Sequence, residues 1–397
     1  MRLGGEVLIV GAGIGGLTLA TALRQRGFAC RLFERTVELK PVGAGILVQT
    51  SALRALHALE LDAKVAAAGQ DVRLGLVTTE RGRVLQRTSL AFLAEELGVG
   101  TVAIHRGRLQ EVLLAGAAGV PLVQNAELVS FEAAGEGVAA QFSDGSRVEG
   151  ALLVGADGLR SVVRRQLLGE TPLRYAGYTS WRGVAAITGT VPPEEVTEMW
   201  GPGARFGFAT LGGGETYWFA VLNAPEGERE TNSLELVSQH FSHWAEPVPK
   251  LLASTRPELV IRTDIHDRAP VASWSRGAVT LLGDAAHPTT PNLGQGGSMA
   301  IEDAVVLAHA LERAPSLAEA LADYERRRVA RTARIVDASF RFGKLAQIRN
   351  PIGIFLRNLV LRLTPESIVQ RELARAAEFS LEEAASPAMR AASRPTP

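Results

Sequence analysis

Two glycine-rich loops stand near opposite ends of the 397-residue chain, each entered from a short apolar run and left through a helical pattern. The first is Val7-Leu-Ile-Val10 running into Gly11-Ala-Gly-Ile-Gly-Gly16. The second is the strand Ala278 to Leu282, a Gly283-Asp284 turn, a Pro- and Gly-rich loop, and a helix starting near Gly297. Consecutive glycines at a helix start let backbone approach a ligand closely, and the free N–H groups there suit an anion or a polarised ring oxygen. One such loop would leave the ligand open. Two of them, far apart in sequence, suggest one extended cofactor gripped from both sides.

The first loop has the spacing Gly11-x-Gly13-x-x-Gly16 between a predicted strand and a helix from about Gly15 to Arg26. Its glycines permit the tight turn, the approach of a pyrophosphate and close helix–strand packing. A second strand, Ala29 to Glu34, closes 18 residues past the third glycine on Glu34-Arg35, where the acid suits ribose hydroxyls. The motif does not separate NAD from FAD. Ala151 to Val154 reads as another buried strand running into Gly155-Ala-Asp157-Gly158. Asp157 there suits either a helix-orienting turn or contact with a nicotinamide cofactor.

Elsewhere, residues 52 to 68 and 106 to 116 have helical spacing, and 121 to 149 reads as strands joined by tight turns. Near residue 171 the texture shifts to aromatic, strand-like segments: Tyr178 to Thr188, Phe206 to Leu211 and Tyr217 to Leu222. Trp181, Trp200, Trp218 and Trp244 fall there, fitting a ligand-facing layer or a core equally. From residue 297 the pattern is helical to the end. Positive and negative side chains balance at 42 each, which argues against a polyanion and hence against nucleic acid. Cys30 is the single cysteine, so no intramolecular disulfide exists. The N-terminal apolar run is interrupted by glycines and lacks a cleavage site, so the expected location is cytoplasmic.

Gly11 to Gly16, Gly155-Ala-Asp157 and Gly283-Asp284 occur in the order found in the single-component FAD-dependent aromatic hydroxylases, and the chain resembles that para-hydroxybenzoate hydroxylase type over about residues 5 to 365. Arg106, at a helix start, is similar to the family's flavin-contacting arginine. Lys40 to Ile46, with Gly45, resembles the segment passing beside the isoalloxazine. The resemblance implies that Asp284 contacts the ribityl chain, that Leu293, Gly294, Gly296 and Gly297 face the flavin ring, and that Asp157 serves both FAD and NAD(P)H. It implies an α/β fold with a Rossmann-like, doubly wound FAD domain, discontinuous over 1–75, 100–170 and 265–335. A mostly antiparallel β-sheet substrate domain takes 76–99 and 171–264, and 336–397 forms C-terminal helices with a frayed tail, Ala385 to Pro397.

The implied activity is NAD(P)H-consuming monooxygenation of an aromatic or heteroaromatic small molecule. NAD(P)H reduces FAD, O2 gives a C4a-hydroperoxide, and its distal oxygen hydroxylates or epoxidises the substrate. Thr289 to Gly297 resembles the urate hydroxylase and zeaxanthin epoxidase branches more than the salicylate hydroxylases, and Arg205 and Tyr217 resemble an Arg/Tyr pair that urate hydroxylases carry on neighbouring strands. Arg182 and Gln49-Thr-Ser51 depart from the urate pattern, so urate hydroxylation ranks second to a different aromatic or heteroaromatic substrate. Arg182, Arg205 and Tyr217 are the candidate substrate residues: guanidinium for an anion, phenol for ring orientation.

The residues also admit a reductase on the same fold, or a flavin-bound protein without catalysis; a halogenase is disfavoured because no Trp-x-Trp occurs. His287 reads as structural, and no metal-ligand spacing is present. Residues 340 to 363 alternate apolar residues with arginines and one lysine. Such a helix more often packs on the fold or forms a dimer seam than meets a membrane, so a monomer or homodimer without membrane contact is expected.

Overall fold

The chain is described by a computed structural model over residues 3–39 and 43–381; the expected frayed tail, Ala385 to Pro397, lies outside the described residues, as do Lys40, Pro41 and Val42. Val7–Val10 is wholly apolar and wholly buried, as a strand covered on both faces must be. It sits inside a six-stranded sheet in the order Ser275–Arg276, Val279–Leu281, Leu152–Gly155, Val7–Val10, Cys30–Phe33, Leu122–Val123. Every pairing is parallel except that of the two-residue edge strand Ser275–Arg276. The strands that carry both glycine loops and the Gly155-Ala-Asp turn are therefore adjacent, and their C-terminal ends share one edge.

Ile14–Gln25 and Gly296–Arg313 cover one face of this sheet and pack on each other. A three-stranded antiparallel meander, Leu128–Ala134, Gly137–Phe142 and Arg147–Gly150, supplies Val138, Ala140 and Phe142 to the same core, with Phe142 stacked on Phe33 at 4.5 Å. The helical stretch expected over 52 to 68 is split into Thr50–His57 and Asp62–Ala68. Leu59 and Leu61 both turn into the core, which puts Glu60 between them at φ 59°.

The second large sheet has seven strands in the order Ile261–Asp267, Arg174–Ala185, Thr216–Asn223, Ala204–Thr210, Glu195–Gly201, Leu74–Thr79, Val84–Ser89. It is antiparallel apart from the pairing of Glu195–Gly201 with Leu74–Thr79. Its two faces differ. Trp181, Phe206, Phe208, Trp218 and Ala220 form a core under the helices Ser233–Phe241 and Val248–Ala253. Trp181, Trp218 and Trp244 belong to that core, and Trp200 is also buried, against Phe342, so the tryptophans are packing rather than a ligand-facing layer.

The opposite face follows from the period-two alternation of strands: Arg182 pairs with Phe219, Val184 with Tyr217, Ala209 with Tyr217, and Arg205 with Val221. These side chains look toward the nucleotide sheet. A small sheet of Gly45–Val48, Thr101–His105 and Gln70–Val72 joins the two units. The C-terminal part is helical: Leu317–Ala346, Pro351–Leu363 and Glu366–Ala377.

Candidate functional site

The first glycine loop is shaped by contacts that exclude side chains. Gly11 has φ +106°, and a Cβ there would stand 2.4 Å from the Ala156 carbonyl oxygen. A Cβ on Gly16 would stand 1.9 Å from the Gly11 oxygen. Gly13 differs: it caps the first helix with no side-chain hydrogen bond, and a Cβ on it would meet nothing within 4 Å. An uncapped helix N-terminus facing open space is what a diphosphate requires.

Glu34 ends the neighbouring strand, and its carboxylate accepts from the Ala12 N–H at 2.9 Å and the Thr36 N–H at 3.0 Å. That fixes the loop and leaves acceptor sites for hydroxyl groups. Arg35 beside it is exposed. Asp157 caps the helix Val162–Leu168 through Oδ2, at 2.8 Å from the Val162 nitrogen, while Oδ1 is buried without a partner. Burial raises its carboxyl above the ordinary range, against the hydrogen bonds from the helix start. A buried orphan acceptor at this edge is an invitation to a donor from a ligand.

The second loop lies across the same edge. Asp284 is open to solvent yet ringed by protein, as a group on the floor of a deep cleft is. Burial raises its carboxyl, opposed by His287 and Arg106. Arg106 begins its helix, donates its N–H to the Ala44 carbonyl at 3.0 Å, and presents an exposed guanidinium. Tyr217 is half-buried; burial raises its phenol, opposed by Arg182 and Arg106. Arg106 thus stands in the field of both Asp284 and Tyr217. Gly45 closes the contact: a Cβ on it would stand 2.4 Å from the Tyr217 ring. Gly294 turns at φ +63°, and Gly296 and Gly297 start a helix whose cap, Gln295, offers no side-chain bond to their N–H groups. Leu293 ends the preceding 3₁₀ turn, Pro291–Leu293.

A glycine loop at one end, an uncapped helix start at the other, and an orphan carboxylate between them fit an extended dinucleotide. The family model described as "FAD binding domain" matches residues 5–339. The chain belongs to this FAD-binding family of flavoprotein monooxygenases. The chain is 44% identical over 382 residues to the aurachin C monooxygenase/isomerase of Stigmatella aurantiaca, covering 96% of this chain and 100% of that one. It is 38% identical over 338 residues to the FAD-dependent urate hydroxylase of Klebsiella pneumoniae, covering 83% and 88%. Among solved structures, Klebsiella pneumoniae HpxO complexed with FAD and uric acid is similar at TM-score 0.89 and 31% identity, covering 95% of this chain and 97% of that one.

Within this FAD-binding monooxygenase, the structure separates the three candidate substrate residues. Tyr217 and Arg205 lie on neighbouring strands but do not meet, since Tyr217 is opposite Ala209 and Arg205 opposite Val221. Arg205 is 2% exposed and fully engaged. It donates to Asn292 Oδ1 at 2.7 Å, Glu198 Oε1 at 3.0 Å and Gln347 Oε1 at 3.3 Å. Asn292 in turn donates to the Tyr178 hydroxyl, Thr290 Oγ1 and the Ser339 carbonyl, each at 2.8 Å. Arg205 therefore braces the loop that carries Leu293 and Gly294 rather than standing free in the cleft. Arg182 is the reverse case: half-buried, on the Tyr217 face, with no hydrogen bond or ion pair among the described residues.

Sequence reading missed a buried ionic cluster behind the second loop. Asp303 holds the Gly283 N–H at 3.0 Å, His287 Nε2 at 2.5 Å and Arg328 Nε at 2.6 Å. Arg328 also donates to Glu302 at 2.6 Å. Burial pushes the Asp303 carboxyl up, but His287 and Arg328 pull it further down, to about 2. Glu302 and Asp303 are consecutive acids in the apolar helix that follows the loop, and that pair was the available signal.

Proposed function

We propose that this flavin-dependent monooxygenase consumes NAD(P)H and O2 to hydroxylate or epoxidise an aromatic or heteroaromatic small molecule carrying an anionic or strongly polarised oxygen. The observation that carries this reading is Arg182. Its half-buried guanidinium has five donors and no partner among the described residues, and an anionic substrate oxygen would complete it. The reading is supported by relatives named for aromatic and heteroaromatic substrates, including a 3-amino-4-hydroxybenzoate 2-monooxygenase 37% identical over 340 residues. Urate is the second reading, favoured by the urate hydroxylases among the relatives and disfavoured by Arg182 itself.

In this reading Gly11, Gly13 and Gly16 admit the diphosphate, Glu34 with Arg35 takes the ribose end, and Asp157 with Arg106 flanks the middle. Asp284 would hold the ribityl side, and the N–H groups of Leu293, Gly294, Gly296 and Gly297 would meet the ring. Bound FAD would supply the redox chemistry and the activation of O2. The chain's own side chains bind, orient and exclude water. Tyr217, its phenol raised by burial, keeps its proton at neutral pH and acts as a hydrogen-bond donor, not a base. Arg182 anchors the substrate and favours its deprotonated form. Arg205 is a positioning residue.

The same reading keeps the division into an FAD unit (1–75, 100–170, 265–335), a substrate unit (76–99, 171–264) and a helical segment (336–397), in line with the two sheets. It places the enzyme in the cytoplasm, where NAD(P)H is available. No helix among the described residues is long and apolar enough to cross a membrane. The test is oxygen-dependent NAD(P)H consumption by FAD-loaded protein with urate, phenols and quinolines. Stimulation by an anionic phenol or quinoline, with oxygenated product, supports the reading; stimulation by urate alone returns the assignment to purine breakdown. NAD(P)H oxidation without an oxygenated product for any compound leaves a reductase.

A further inference from the structure

The helix Pro351–Leu363 is apolar on two sides, and the fold uses only one. Ile354 and Leu361 face inward with Arg357, which donates to the Ala346 carbonyl at 2.9 Å and lies 5.0 Å over the Trp200 ring. The outward side carries Ile352, Phe355, Leu356, Leu359, Val360 and Leu363, exposed by 71%, 65%, 53%, 40%, 62% and 70%. Their spacing, i, i+3, i+4, i+7, i+8, i+11, is a continuous stripe on one helical face. Val84, 50% exposed on the strand beneath this helix, and Ile368, 48% exposed on the next helix, extend it. Isolated exposed apolar residues are ordinary, but a contiguous patch of this kind marks an interaction surface.

The charges around the patch identify what it meets. The whole chain is balanced at 42 and 42, yet from Ala338 to Pro365 it carries Arg341, Lys344, Arg349, Arg357 and Arg362 and no acid. Lys344 and Arg362 are exposed, as is Arg87 on the strand beneath, and none has an ion-pair partner among the described residues. Arg349 instead lies along Gly203, and Glu366 at the start of the next helix is the flanking acid. A second copy meeting this patch through a two-fold axis would set these cations against themselves. Residues 382–397 contain one large apolar side chain, Met389, too little to match six. An anionic lipid surface matches both properties, since headgroups pair with the cations while the stripe enters the acyl boundary.

We propose that the outer face of Pro351–Leu363 docks the enzyme on the surface of an anionic membrane. The helix lies in the interface without spanning it. Packing on the fold accounts for the inner side of this helix and leaves the outer side exposed.

The test is co-sedimentation of FAD-loaded full-length protein with phosphatidylcholine vesicles and with vesicles containing phosphatidylglycerol. The expected result is partitioning onto the phosphatidylglycerol vesicles that exceeds the neutral ones by about tenfold and weakens in high salt. The double variants Phe355→Ser with Val360→Ser, and Lys344→Glu with Arg362→Glu, each keep flavin content and lose about tenfold in partitioning. Absence of binding to either vesicle overturns the proposal. So does binding that the variants leave unchanged, or a dimer in sedimentation velocity that Phe355→Ser with Val360→Ser disperses.

Discussion

Arg205 and Asn292, 87 residues apart, meet at 2.7 Å and join the inward face of the seven-stranded sheet to the loop beneath the second helix start. Arg205 is buried, and its guanidinium is held by Asn292, Glu198 and Gln347 and lies 5.6 Å over the Tyr178 ring. Asn292→Ala leaves Nη2 of Arg205 and the Tyr178 hydroxyl each short of a partner. The expected outcome is a loss of about 2 kcal/mol of stability with weaker flavin retention, read by thermal unfolding and flavin titration. Unchanged flavin affinity would show that the brace does not reach the cofactor loop.

Gly13 and Gly16 of the first loop should behave differently. Gly13→Val projects into open space, so the apoprotein keeps its melting temperature while FAD affinity drops by tenfold or more, on the order of a lost charge-assisted contact. Gly16→Val meets the Gly11 carbonyl and costs about 3 kcal/mol of stability. Parallel losses of stability in both variants would contradict the cradle.

Arg182→Gln removes a charge that has no hydrogen-bond or ion-pair partner among the described residues. Stability and FAD content stay as they are, and KM for an anionic substrate rises about tenfold to a hundredfold, the range of a lost charged hydrogen bond. Equal KM values for the variant and the wild type, on the substrate that stimulates turnover most, would remove Arg182 from the site.

Acid stability should report Asp303. Its carboxyl is depressed from 3.8 to about 2, so the stability it contributes is present above the unfolded value and is lost as pH falls through that interval. Asp303→Asn leaves Arg328 and His287 buried beside a neutral amide and costs about 3 kcal/mol near neutrality. Its unfolding midpoint then falls less steeply than the wild type's between about pH 4 and about pH 2. Denaturation midpoints across that range, for both proteins, decide it.

The edge of the six-stranded sheet where the glycine loops meet was legible in the sequence because its determinants are local: Gly11, Gly13 and Gly16 within one turn, Glu34 at the next strand end, Gly283-Asp284 before a helix. Their spacing encodes backbone geometry directly. The parallel strands were legible for the same reason, as short apolar runs. The position of Arg205 was not, because its partners come from three other elements and Arg on a strand has no periodicity that reports burial. The break at Glu60 also escaped notice, since no glycine or proline marks it and the flanking leucines read as one helix. The isolation of Arg182 is a property of what surrounds it, which no spacing in one chain reveals.

The most direct test of the central claim is turnover of the best-stimulating aromatic anion under isotopically labelled dioxygen, with mass analysis of the product. One labelled oxygen atom per product molecule is expected, in wild type and at lower yield in Arg182→Gln. Product lacking the label, or NAD(P)H consumed with only hydrogen peroxide formed, would contradict it.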